Sequence, residues 1–204
     1  MAKLPEPPDP LAVAPEIKTR QNGSRCWRIY FAGGAHPTTW RDFRFFGPTN
    51  SRFDHHDPPP ARQARGIMYA AGSPVTCLAE VFQITRVIDR ASNAPWLVAF
   101  DVARDVALLD LTGTWPTLAG GSMAIGSGPR PRARRWSRAI YATYANVEGL
   151  LYASSMHGNR PALALYERAQ SAMPAAPVFH RALSDPALVP RLNAVAATLG
   201  YGLV

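Results

Sequence analysis

Lysine is almost missing from this chain. Lys3 and Lys18 are the only two among 22 basic residues, so the formal charge of +8 is carried by arginine. The guanidinium fork suits planar, two-pronged recognition of phosphate or carboxylate, which points to an anionic ligand or partner. Cysteine is as scarce. Cys26 and Cys77 stand far apart and in no zinc-binding spacing, and no secretory apolar region is visible. The chain therefore reads as cytoplasmic with free thiols. No apolar run reaches membrane-spanning length, so no membrane association is expected. Neither the P-loop nor the dinucleotide fingerprint occurs; the glycine-rich stretch LAGGSMAIGSGPRPRARR has the wrong spacing and reads as a mobile loop.

What is present is enough for one domain. The 204 residues include 47% apolar and 10% aromatic side chains, sufficient for a sizeable core. The first 22 residues are proline-rich and without period, a flexible arm or a strap laid on the surface, with the domain proper over 23–204. CWRIYF alternates as a strand, and FRFF at 43–46 suggests another before the GPTN turn. DPPPARQARG reads as a loop and GIMYAAG as a strand over 66–71. Ser73-Pro74 is a cap followed by proline at the first helical position, so a helix starts there, with Glu80 beside its apolar stripe. WLVAFDV and VALLDLTG predict two more strands, RRWSRAIYATYA a helix, GLLYAS and PALALYER further strands, and PALVPRLNAVAATLG a terminal helix ended by Gly200. The fold class is α+β, a single domain of several short strands with flanking helices.

SRFDHH, at 51–56, raises the question of function. His55, His56 and Asp57 resemble metal ligands in type, but adjacent side chains in an extended segment point apart and no second histidine or cysteine cluster lies within motif spacing. Arg52 has no acidic neighbour before Asp54, and stands either as an anion-gripping residue or as a surface arginine paired with Asp54 or Asp57. Glu80, between Leu78, Ala79, Val81 and Phe82, is either on the wet edge of its helix or held in a pocket by a cation. Ser154 and Ser155 end a strand, where serines also satisfy backbone groups.

Taken in order, CWRIY (26–30), SRFDHH (51–56), GIMYAAGSPVTCLAEVF (66–82) and WSRAIYATYANVEGLLYASSMHGNRPALALYE (136–167) resemble the RES domains. These are bacterial toxins named for arginine, glutamate and serine and usually encoded beside an Xre-type helix-turn-helix antitoxin. The resemblance implies an ADP-ribosyltransferase-like fold with a split or twisted sheet. It implies Arg52, Glu80 and Ser154 as the signature residues, and Arg28, Tyr30, Tyr69, Ser137 and Ser155 as further positions binding NAD. Ser137 is the second choice for the signature serine. The chain departs from the family where members commonly carry Asn, Pro and Gly after the arginine and aromatic. Here Asp54-His55-His56 and then Asp57-Pro58-Pro59-Pro60 follow, an acid in place of an amide and a longer loop.

The implied activity is cleavage of the nicotinamide–ribose bond of NAD, with ADP-ribose passed to water, phosphate or a protein; no metal is implied. The residue chemistry agrees with it. Breaking an N-glycosidic bond builds positive charge at ribose C1′, which the fixed carboxylate of Glu80 would stabilise, while Arg28 and Arg52 would grip the pyrophosphate. Two other readings stay open. PRPRARRWSR at 129–138 could serve a nucleic-acid-binding module, although it is short and lacks a helix-turn-helix or RNA-binding signature. The altered motif after Arg52 could mark a catalytically silent relative that only binds its partner. Homo-oligomerisation is left open by the sequence.

Overall fold

The computed structural model describes residues 4–204. Eleven strands and four α-helices are assigned within them: β1 (Ile17–Arg20), β2 (Arg25–Phe31), β3 (Arg44–Gly47), β4 (Ala61–Ala71), α1 (Pro74–Val81), β5 (Val87–Ile88), β6 (Pro95–Asp101), β7 (Val106–Asp110), α2 (Trp115–Leu118), α3 (Arg130–Thr143), β8 (Gly149–Ala153), β9 (Pro161–Tyr166), β10 (Phe179–Ala182), α4 (Val189–Leu199) and β11 (Gly202–Leu203). The expected α+β class is observed. Local chemistry accounts for the helix ends. The Ser73 side chain accepts from the Thr76 amide and Pro74 opens α1, whereas α4 stops at Gly200, whose φ of 66° suits a residue without Cβ.

The main sheet runs β1-β7-β8-β9-β4-β2-β6-β10, with β3 paired to β4 and a separate β11-β5 ribbon. β7 and β8 are parallel, and the other pairs of the main sheet are antiparallel. Its two halves meet at a narrow joint. β2 pairs with β6 along its whole length, from Arg25↔Asp101 to Phe31↔Pro95, but touches β4 in register only at Trp27↔Ala71. The sheet is therefore split there, and α1 leaves β4 just beyond the joint.

Side chains on one face of the β4–β9–β8–β7 half, among them Ile67, Tyr166, Leu150 and Leu109, pack with Phe53, Trp115, Trp136 and Ile140. The opposite face buries Met68, Leu163, Leu165 and Leu108 with Phe43 and Phe100. A third cluster joins α1 and α4 to the other half through Ile29, Leu78, Leu97 and Leu192. Among the described residues no helix is long and apolar enough to cross a membrane.

Several expectations need correction. From Leu4 onward the proline-rich segment is the strap, not a flexible arm. Leu4 and Leu11 are buried in the core, Trp136 Nε1 donates to the Pro5 carbonyl at 2.8 Å, and β1 pairs with β7. Residues 1–3 of the expected arm lie outside the described residues. Ala61–Gly66 is not loop but the first part of β4, because its backbone finds a partner in β3 at Phe46↔Arg62 and Gly47↔Ala61. The glycine-rich stretch is not one mobile loop either: it holds a 3₁₀ turn at Met123–Gly126, and α3 begins at Arg130.

Gly149, at the start of β8, is held by close approach, since a Cβ there would stand 2.6 Å from the Ala164 carbonyl oxygen and 3.0 Å from Leu165 Cα. Backbone cannot yield as a flexible side chain would. Gly149→Ala is expected to destabilise the protein by about 1–3 kcal/mol in urea unfolding, through overpacking; an unchanged midpoint would contradict this packing.

Candidate active site

Thr76 and Glu80 are one turn apart on α1 and so share a face. Both engage the loop that follows β8. The Thr76 hydroxyl meets His157 Nδ1 at 2.9 Å, and Ser154 Oγ donates to Glu80 Oε1 at 2.5 Å. Ser154 is fully buried; its amide donates to the Arg160 carbonyl, and its own carbonyl accepts from Asn159. The loop is thus closed on itself and docked on the helix, and Glu80 is half-buried rather than at a wet edge.

Arg52 arrives from the turn between β3 and β4. Its NH1 donates to the Gly128 carbonyl at 2.5 Å. Burial depresses its pKa, the neighbouring Arg130 cation depresses it further, and Glu80 opposes both. The guanidinium therefore stands within electrostatic reach of Glu80, paired with neither Asp54 nor Asp57. Phe53 beside it is buried: its amide donates to the Tyr69 hydroxyl at 3.1 Å, its carbonyl accepts from Ser137 Oγ at 2.8 Å, and its ring lies 4.7 Å from that of Tyr152. Tyr69 and Ser137, both expected in the site, hold the turn that carries Arg52. Burial raises the Tyr69 pKa, keeping the phenol neutral.

The unusual Asp54-His55-His56 segment is wholly buried. Asp54 accepts from His56 Nδ1 at 2.5 Å, from the Thr49 amide and hydroxyl at 2.6 and 2.8 Å, and from Arg44 at 2.9 Å. Burial alone would raise its pKa; the bonds from His56, Thr49 and Arg44 outweigh burial and hold the carboxyl well below the usual range. His55 packs between Tyr141 and Tyr166, both at 4.4 Å, with Nε2 3.7 Å from the Glu167 carboxylate, and burial lowers its pKa. Burial would likewise raise Glu167, but His55, the Gly66 amide and Tyr141 bring it to about 2. Both histidines are thus committed to the fold, and among the described residues no group of three His, Cys, Asp or Glu side chains could hold a metal ion.

Two of the expected site residues make their hydrogen bonds outside the Arg52–Glu80–Ser154 cluster. Arg28 donates to the Asp42 and Trp40 carbonyls at 2.8 and 3.4 Å, and burial lowers its pKa to about 10. The Tyr30 hydroxyl meets His180 Nε2 at 2.6 Å, beside Trp96. No bond found among the described residues takes either to the Arg52–Glu80–Ser154 cluster. Ser155 is exposed and lines a cavity of about 740 Å³ adjoining the cluster. The three signature side chains do not line this cavity; Tyr152 does.

Sequence reasoning passed over Tyr152, whose pKa burial raises well above the usual value, with Glu80 adding to the effect. The signal was there: it lies two residues before Ser154 in an extended run, hence on the same face. Arg130 and Gln83 were also missed. Arg130 NH2 donates to Gln83 Oε1 at 3.0 Å, and Gln83 Nε2 to the Glu80 carbonyl at 2.6 Å, so the head of α3 is tied to the end of α1.

Two comparisons with known proteins return a match. A family model described as RES domain matches residues 25–186. A chain of the M. tuberculosis MbcT–MbcA toxin–antitoxin complex superposes with a TM-score of 0.56 at 22% identity, covering 86% of this chain and 92% of that one. The shared fold is compatible with the ADP-ribosyltransferase-like architecture. No curated protein matches the chain.

The buried acid yields a pH test. Asp54 has a folded pKa below its unfolded value of about 4, so its contribution is complete above that pH and is lost as pH falls through the folded value. Asp54→Asn is expected to cost about 1.5–3 kcal/mol at pH 7, and the gap to wild type should shrink as unfolding is measured from pH 4 downward. A gap independent of pH would contradict the ionised knot.

Proposed function

This chain belongs to the RES domain family, and on that premise we propose that it is a toxin of the toxin–antitoxin kind that breaks the nicotinamide–ribose bond of NAD. The observation that carries the reading is the buried Ser154 hydroxyl bonded to Glu80 at 2.5 Å, with the Arg52 cation in electrostatic reach.

In the proposed reaction the C1′–N bond breaks, its electron pair leaves with neutral nicotinamide, and positive charge spreads over C1′ and the ring oxygen. Glu80 supplies the fixed negative charge that stabilises this cation. Ser154 acts as a positioning residue: by donating to Oε1 it fixes the carboxylate plane and leaves the other oxygen for a ribose hydroxyl. Arg52 exchanges the Gly128 carbonyl for pyrophosphate, a gain because the new bond is charge-assisted at both ends. The nucleophile that captures C1′, whether water, phosphate or a protein side chain, loses its proton in doing so. The chemistry asks for no metal.

The structural neighbour comes from a toxin–antitoxin complex, which supports an antitoxin partner, proposed to be of Xre type. The nucleic-acid reading is weakened by where the arginines of the basic run go. Arg135 bonds Glu6 at 2.6 Å, Arg132 the Leu4 carbonyl at 2.6 Å, and Arg130 Gln83. The silent-relative reading is weakened because the departure after Arg52 is built into the core through Asp54 and its bonds to His56, Thr49 and Arg44, and leaves the Arg52 guanidinium outside that knot.

Incubated with NAD, the purified protein should release free nicotinamide. Glu80→Gln should lower kcat by at least about a hundredfold, with the circular dichroism unchanged. Arg52→Lys should also be severely impaired, because an ammonium cannot reproduce the fork. Wild-type nicotinamide release by Glu80→Gln would remove Glu80 from the mechanism.

A further inference from the structure

The five arginines of α3 divide into two groups. Arg130 bonds Gln83, Arg132 the Leu4 carbonyl and Glu6, and Arg135 Glu6, so these three are committed to the fold. Among the described residues Arg134 and Arg138 make no hydrogen bond or ion pair, and NH1 of Arg134 is shut off from water without a partner. The chemistry proposed above uses neither.

The uncommitted pair lies on one stripe. Arg134 and Arg138 are one turn apart and Tyr141 follows three residues on, so the three share a face of α3, with about 5–6 Å between successive Cβ atoms. β4 extends the stripe. The Arg65 guanidinium stands 5.0 Å from the Tyr141 ring centre, donates to the His55 carbonyl at 2.7 Å and pairs with Asp57 at 2.8 Å. Three cations thus share one patch, and Asp57 is already taken by one of them. Burial lowers the Arg138 pKa, Asp57 opposes, and the neighbouring Arg135, Arg134 and Arg65 cations lower it again. Guanidinium groups held together against their mutual repulsion gain from an anion that bridges them.

Two features select the anion. Carboxylates flank the stripe, Asp57 on Arg65, Glu167 on the Tyr141 hydroxyl and Glu6 on Arg135, so a continuous phosphate backbone laid along it would meet negative charge at several points. The one aromatic ring of the stripe, Tyr141, already carries Arg65 and, at 3.9 Å, Arg168, and so is not open to a stacking base. A short ligand fits instead: carboxylates one helical turn apart, matched to two guanidinium groups one turn apart.

We propose that the Arg134–Arg138–Arg65 stripe is the docking surface for an acidic helical segment of a partner protein. It lies behind the turn that carries Arg52, since Arg65 is bonded to the backbone of His55 three residues further on. It uses none of Arg52, Glu80 and Ser154, so the segment docks there whether or not the chain cleaves NAD.

The probe is a fluorescein-labelled helical peptide with glutamates one turn apart, set against a single-stranded oligonucleotide of equal charge, each followed by anisotropy as the full chain is added. Arg134→Glu with Arg138→Glu is compared with Arg41→Glu and Arg191→Glu together, which change the net charge equally at arginines exposed elsewhere. Peptide affinity should fall at least about tenfold in the first double variant and less than about threefold in the second, with circular dichroism unchanged in both. Equal losses would mean attraction to net charge alone and overturn the assignment, as would a wild-type protein that does not bind the peptide. Tighter binding of the oligonucleotide, lost in the first variant, would make the stripe a nucleic-acid site and overturn it too. Should the first variant not fold, the side-chain Nε–H NMR signals of Arg134 and Arg138 in the wild-type protein decide. They should shift as peptide is added; signals that stay in place contradict the proposal.

Discussion

A hydroxyl–carboxylate bond between two segments 74 residues apart is what the rest of this site depends on. Ser154 Oγ and Glu80 Oε1 stand 2.5 Å apart, and with that contact the loop after β8 is docked on the last turn of α1. A half-buried carboxylate needs polar partners, and here one of them is a hydroxyl that is itself shut off from water. The bond fixes the orientation of the Glu80 carboxylate, as the proposed charge stabilisation of a cationic sugar asks. The split in the sheet makes this possible: because β2 and β4 share only the Trp27↔Ala71 pair, α1 departs where the two halves of the sheet meet.

Arg52 completes the site by a different device. Its side chain is free to serve because its neighbours are not. Phe53 is held by Tyr69 and Ser137, and Asp54 is held by His56, Thr49 and Arg44, so the turn is rigid on both sides of an arginine that gives its NH1 to a backbone carbonyl. The departure from the family pattern at Asp54 thus rebuilds the support for the arginine. An acid accepting five hydrogen bonds does what a short amide turn would do elsewhere, at the cost of burying a charge that must stay paired.

Much of the fold was legible because local signals sufficed. The alternation in CWRIYF marks β2, Ser73-Pro74 marks the start of α1, and Gly200 marks the end of α4. The parts that escaped are those whose partners lie far along the chain. IKTR in the strap and ARQAR at the head of β4 have no strand pattern of their own; they extend because β7 and β3 offer unpaired backbone. The site divides in the same way. Nothing local says that Glu80 meets Ser154 rather than Ser155 or Ser137, so the grouping came through resemblance. Resemblance also supplied Arg28 and Tyr30 as pocket positions; their hydrogen bonds run to the Trp40 and Asp42 carbonyls and to His180. Tyr152, by contrast, could have been found from strand parity with Ser154.

The central claim, that Arg52, Glu80 and Ser154 together receive the reacting end of a dinucleotide, is tested most directly by a crystal structure with a non-cleavable NAD analogue. The account predicts a nicotinamide-ribose hydroxyl within hydrogen-bonding distance of Glu80, a phosphate oxygen on Arg52 in place of the Gly128 carbonyl, and the Ser154–Glu80 bond retained. An analogue bound elsewhere on the molecule, with Arg52 still on Gly128 and no ligand atom near Glu80, would contradict it.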